Sequence, residues 1–191
     1  MADHTITEGS DFRVRAEAIV ATLSLEQRIG LISGRDFWNT KGIDGHVASF
    51  MVSDGPHGLR KQAGDADHVG LSNSVPATCF PVAANLAATW DTALLAEIGV
   101  ALGTEARAED VAILLGPGMN IKRHPRGGRN FEYFSEDPLL SGKMAAALVR
   151  GIQSTGVGAC PKHYAANNQE TRRMVIDTIV DERTLRELYL R

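Results

Sequence analysis

The stretch Gly116–Pro138, GPGMNIKRHPRGGRNFEYFSEDP, is a polar loop set between two apolar segments, and its setting decides the fold. Upstream lies the short apolar run Val111–Leu115. Downstream, Leu140, Met144, Leu148 and Ile152 recur at helical spacing behind Pro138, a residue that suits the first turn of a helix. Strand, loop and helix in that order make one β/α unit. The loop carries Lys122, Arg123, Arg126 and Arg129 beside Glu132, Glu136 and Asp137, with glycines at 116, 118, 127 and 128 and prolines at 117, 125 and 138. Such a loop is either a solvated surface excursion or a rigid, charge-paired frame presenting an arginine to a polar ligand.

Working outward, Val47–Val52 reads as a buried parallel strand that delivers Asp54 into the turn Ser53-Asp54-Gly55-Pro56. Gly156–Tyr164 reads as a strand presenting Lys162 and His163 near its end. Cys79–Ala88 and Val175–Val180 are further strand candidates. Phe12, Ala16, Ile19, Val20 and Leu23 mark a first helix; Ser24 and Gln27 form a capping box for a second, bearing Leu25, Ile29 and Ile32 and ended by Gly34. Asp91 caps a helix with Leu94, Leu95, Ile98, Leu102 and Ala106 on one face, and Asp181 caps a last one with Leu185, Leu188 and Tyr189. Lys61–Asn73 is polar and aperiodic, an expected exposed excursion. This alternation predicts an α/β fold with a parallel sheet, in which ligands bind at the C-terminal ends of the strands.

The 191 residues, 43% hydrophobic and 23% charged, suit one globular domain, expected here as a single partial domain with a helical lead-in over 1–34. A net charge of −3 favours neither nucleic acid nor an anionic membrane as partner. The N-terminus has no secretory pattern and no run reaches spanning length, so a cytoplasmic location is expected. Cys79 and Cys160 read as two buried, small apolar side chains without a disulfide. The six histidines show no metal-ligand spacing, and Gly116-Pro117-Gly118 lacks the rest of a dinucleotide fingerprint, so neither metal nor cofactor is expected.

Asp54, Arg123, Lys162 and His163 all fall at the same end of successive predicted strands. A carboxylate, a guanidinium, an ammonium and an imidazole together suit a polyhydroxylated ligand, whose hydroxyls both donate and accept, or a phosphate. Each also has a plainer reading: Asp54 as a turn-holder, Arg123 as the ion-pair partner of Glu132 or Glu136, and Lys162 and His163 as an ordinary strand end, with His163 a satisfied core histidine.

Four segments carry a resemblance. Ser53–Arg60 (SDGPHGLR), Leu115–Pro138, Cys160–Asn167 (CPKHYAAN) and Asp181–Glu187 (DERTLRE) resemble motifs of glycoside hydrolase family 3 in its β-glucosidase branch, over a region from about Leu23 to Arg191. The Tyr164-Ala165-Ala166-Asn167 continuation differs from the N-acetylglucosaminidase branch of that family. The resemblance implies the N-terminal part of a (β/α)8 TIM-type barrel, incomplete at 191 residues, with β-glucoside or oligosaccharide as substrate. It implies that Asp54, Arg123, Lys162 and His163 bind the terminal sugar, with Arg60 a weaker candidate, while Arg126, Arg129, Glu132 and Glu136 hold the loop. Retaining glycosidases need a carboxylate nucleophile and a carboxylic acid/base. The family's contexts for both are expected beyond Arg191, so the isolated chain is expected to be inactive and prone to self-association through an open barrel edge.

Overall fold

The computed structural model describes residues 10–64 and 73–191, so the expected excursion at Lys61–Asn73 lies mostly outside the described residues. The chain divides into two compact units, Met1–Phe50 and Met51–Arg191.

In the first unit α1 (Ser10–Thr22) is followed by α2 (Leu25–Leu31). Ser24 and Gln27 form the reciprocal capping box that the sequence signals, which satisfies two N–H groups otherwise left without partners at the helix start. The helix ends at Leu31, ahead of Gly34, because the Ile32 N–H closes on the Gly30 and Ile29 carbonyls.

In the second unit β1 (Met51–Asp54), β2 (Val111–Leu115) and β3 (Gly158–Ala159) form a parallel sheet in that order. Asp54 stands opposite Leu115, and Leu114 opposite Ala159. Between β1 and β2 come α3 (Ala83–Ala88) and α4 (Thr92–Ala108); between β2 and β3 comes α5 (Pro138–Ser154). Asp91 and Asp137 cap α4 and α5, each accepting two backbone N–H bonds, and Pro138 sits in the first turn of α5. Leu95, Leu102 and Ala106 of α4 and Met144, Leu148 and Ile152 of α5 close over Val111 and Leu114 to make the core. Each large side chain so buried contributes roughly 1.5–3 kcal/mol of transfer free energy. This unit is an α/β, β/α-unit fold, as its alternation predicts. No helix among the described residues is long and apolar enough to cross a membrane.

Several local expectations are corrected. The first strand begins at Met51, later than Val47. Cys79–Ala88 is no strand: its alanine-rich half is α3, in keeping with the high helix propensity of alanine. The strand expected over Gly156–Tyr164 is only two residues long, because Pro161 has no N–H to give to a ladder. The chain nonetheless stays beside β2 and the loop after it, through Cys160 N–H to the Leu114 carbonyl (2.9 Å) and Lys162 N–H to the Pro117 carbonyl (2.9 Å). Val175–Val180 is irregular, with no described strand beside it. The last helix is one turn, α6 (Glu182–Thr184), capped by Asp181 and widening into a π turn over Leu185–Tyr189. Both cysteines are free and exposed, not buried, since each lies in an irregular segment adjoining an element end.

Candidate active site

Asp54 is the last residue of β1, and the backbone turns sharply after it. Gly55 has φ 136°, and a Cβ there would strike Leu59 Cα at 2.8 Å, so the turn requires glycine. The Arg60 N–H closes the turn on the Asp54 carbonyl at 2.9 Å. Lys162 arrives from past β3, its carbonyl accepting from Met119 N–H at 2.8 Å. Its Nζ donates to Asp54 Oδ1 at 2.6 Å, joining residues 108 positions apart. The lysine side chain is 15% exposed and the aspartate 41%, so the pair sits at a mouth with its carboxylate still open to a ligand.

His163 is fixed on every side. Its N–H donates to Asn120 Oδ1 at 2.6 Å, and Asn120 Nδ2 donates in turn to the Asn167 carbonyl at 2.6 Å. Ring Nε2 lies 3.1 Å from an Arg129 Nη2, and ring Nδ1 lies 3.1 Å from the Tyr133 hydroxyl and 3.2 Å from Asn120 Oδ1. Guanidinium only donates, so Nε2 is the acceptor and Nδ1 carries the proton. Burial, with Arg129 and Lys162 nearby, depresses the imidazole pKa to about 4, so His163 is neutral near pH 7. Arg129 is clamped by Glu132 and reaches Glu170 at 3.8 Å. Burial pushes the Tyr133 hydroxyl up to about 12, which keeps it protonated.

His57, three residues past Asp54, packs its ring edge-on to Phe131 with centroids 5.9 Å apart. Its Nδ1 is buried without a partner, and burial lowers its pKa, against the opposing pull of Glu132 and Asp54. A cavity of about 230 Å³ borders Lys162 and His163, walled by Met119, Pro138, Leu188 and Tyr189. Among the described residues no group of three or more His, Cys, Asp or Glu side chains could hold a metal ion.

Of the residues expected at the site, the structure brings Asp54, Lys162 and His163 together. Arg123 makes no hydrogen bond or ion pair with them; it is exposed and lines a separate groove with Asn168–Thr171. Arg60 is exposed. The pairing of Arg129 with Glu132 agrees with a loop-holding role, but Arg129 also touches His163, which sequence reasoning missed along with Asn120, Tyr133 and His57. A signal was available for two of them. Arg129 caps the one-turn 3-10 helix Asn130–Glu132, and Tyr133 follows it, so spacing alone keeps both close to Glu132.

Ammonium, carboxylate, neutral imidazole and guanidinium in one partly buried mouth offer both donors and acceptors, the mixture that vicinal hydroxyls need. Known proteins similar to this chain agree with that chemistry. The Glycosyl hydrolase family 3 N terminal domain matches residues 23–190. The thermostable beta-glucosidase B of Acetivibrio thermocellus is 60% identical over 177 residues, covering 92% of this chain and 23% of that protein. An exo-alpha-(1->6)-L-arabinopyranosidase of Bifidobacterium longum is 51% identical over 172 residues, covering 89% of this chain and 23% of that one. The solved beta-glucosidase 3B from Thermotoga neapolitana, in complex with alpha-D-glucose, superposes with a TM-score of 0.84 at 45% identity, covering 93% of this chain and 27% of its own. The chain thus spans about a quarter of the length of these relatives, and its partial parallel sheet is the start of a TIM-type barrel. With its family domain, its relatives and its fold in agreement, this chain belongs to glycosyl hydrolase family 3.

Proposed function

We propose that this chain forms the terminal-sugar-binding part of a β-glucosidase that hydrolyses non-reducing β-D-glucosyl residues with retention. The observation that carries the reading is the 2.6 Å Lys162–Asp54 pair at the end of β1, next to a neutral, fully oriented His163. Asp54 accepts from sugar hydroxyls, and Lys162 and Arg129 donate to them. Orientation by Asn120, Tyr133 and Arg129 fixes the His163 ring before substrate arrives, so little ordering is left to pay for on binding. In this reading the nucleophile and the acid/base, set about 5–5.5 Å apart in retaining enzymes, come from outside residues 1–191, and these residues by themselves do not turn over an aryl glucoside.

A backbone-amide NMR titration of the chain with D-glucose tests the assignment. The amides of Asp54, Lys162 and His163 move, and Asp54→Ala weakens binding by about tenfold or more, as loss of a charge-assisted contact implies. An affinity indifferent to Asp54→Ala overturns it. The arabinopyranosidase relative supports a second reading, a pentopyranosidase; L-arabinose or D-xylose binding more tightly than glucose in the same titration selects it.

A further inference from the structure

Beside the sugar site lies an open groove of about 660 Å³ that the glucoside reading leaves unused. The loop after β2 lines it with Arg123, His124 and Arg126, and the loop after β3 with Asn168, Glu170 and Thr171. Arg123 and Arg126 are exposed, and among the described residues neither guanidinium has a hydrogen-bonding or ion-pair partner. The groove's carboxylate does not neutralise them, because Glu170 is already engaged by Arg173 at 3.3 Å and Arg129 at 3.8 Å. Two positive charges therefore face the groove unmatched. Guanidinium forks bind carboxylate and phosphate oxygens in two-point geometry. Next to a site for sugar hydroxyls, such a pair suits a sugar that carries an oxyanion.

The groove abuts the sugar site through one residue. Glu170 lines the groove and pairs with Arg129, whose other nitrogen contacts His163 Nε2 at 3.1 Å. We propose that the groove of Arg123 and Arg126 binds the anionic group of an acidic glycoside, a hexuronate or sugar phosphate, whose terminal sugar occupies the Asp54–Lys162–His163 site. This rests on the glucoside-binding reading and names the substrate class that the same site accepts.

Amide-detected titrations of the chain with D-glucuronate, D-glucose 6-phosphate, inorganic phosphate and D-glucose, at one ionic strength, separate the outcomes. Both acidic sugars move the amides of Gly127, Gly128 and Gln169–Thr171, glucose does not, and a preference for hexuronate or for sugar phosphate names the source of the anion. Arg123→Ala with Arg126→Ala weakens their binding by about fivefold, the scale expected of exposed guanidinium pairs, and raised salt has the same effect. Groove amides that stay still with both sugars, or an advantage over glucose that survives the double variant, overturn the proposal. So does inorganic phosphate reproducing the whole response, which would show an adventitious ion only. Glucose failing to move Asp54, Lys162 and His163 sinks the underlying glucoside reading instead, and that outcome is read on different amides.

Discussion

His163 shows how much of a side chain's chemistry is set by residues far from it in sequence. Burial holds its imidazole near pKa 4, well under the ordinary value of 6.5. Between those values the folded chain binds fewer protons than the unfolded one, so this group's stabilisation is complete above about pH 6.5 and is lost as pH falls toward about 4. His57, also lowered by burial, adds in the same direction. Carboxylates titrate in the same range, so the useful readout is a difference: on moving from about pH 7 to about pH 4.5, wild type loses more melting temperature than His163→Gln. Equal losses would show that His163 is not the titrating group. At this scale the sequence named Asp54, Lys162 and His163, together with Arg123, and gave Arg129 a loop-holding role, but missed Asn120 and the contact of Arg129 with His163. An arginine in a charged loop looks the same whether it holds the loop or touches a histidine 34 positions away.

At the scale of elements, α4 and α5 cross backbone to backbone. A Cβ at Gly151 would collide with the Ala96 carbonyl and approach Gly99 Cα at 2.9 Å; one at Gly99 would meet the Leu148 carbonyl and Gly151 Cα. Gly151→Ala is therefore expected to force the helices apart and cost about 1–3 kcal/mol, as overpacking does. Gly142 lies in the same helix, and a methyl group added there would meet nothing within 4 Å, so Gly142→Ala is expected to stabilise by about 0.5–1 kcal/mol. Thermal unfolding followed by circular dichroism checks both, and equal effects of the two substitutions would contradict the crossing. Three helix starts were legible because their caps are local: Ser24, Asp91 and Asp181 each accept from backbone two or three residues on, whereas α3, whose N-cap Val82 makes no side-chain bond, reads as a strand. Strand lengths were less so: Val111–Leu115 is β2 as read, but β1 and β3 are shorter than the runs that announce them, because a strand extends only where a neighbour pairs with it. Val175–Val180 has the composition of a strand but, among the described residues, pairs with none.

For the molecule as a whole, several large apolar side chains stand in water. Val175 is 75% exposed and Ile179 is 86%, in the stretch that leaves β3. With β1 and β3 both at sheet edges, we expect the purified chain to self-associate with rising concentration, and Val175→Lys with Ile179→Lys to shift it toward monomer in sedimentation velocity. A monomer at all concentrations would refute this. The sequence by itself determined the fold class, the capped helices, the strand Val111–Leu115 and Asp54 at the end of another, because hydrophobic period, caps and turn residues act over a few positions. Only the tertiary structure decided that Lys162 pairs with Asp54, that Arg129 joins His163, and that Arg123 faces a different groove. Those pairings depend on which loop lies beside which strand end, and that is set by the packing of α4 and α5 over the sheet.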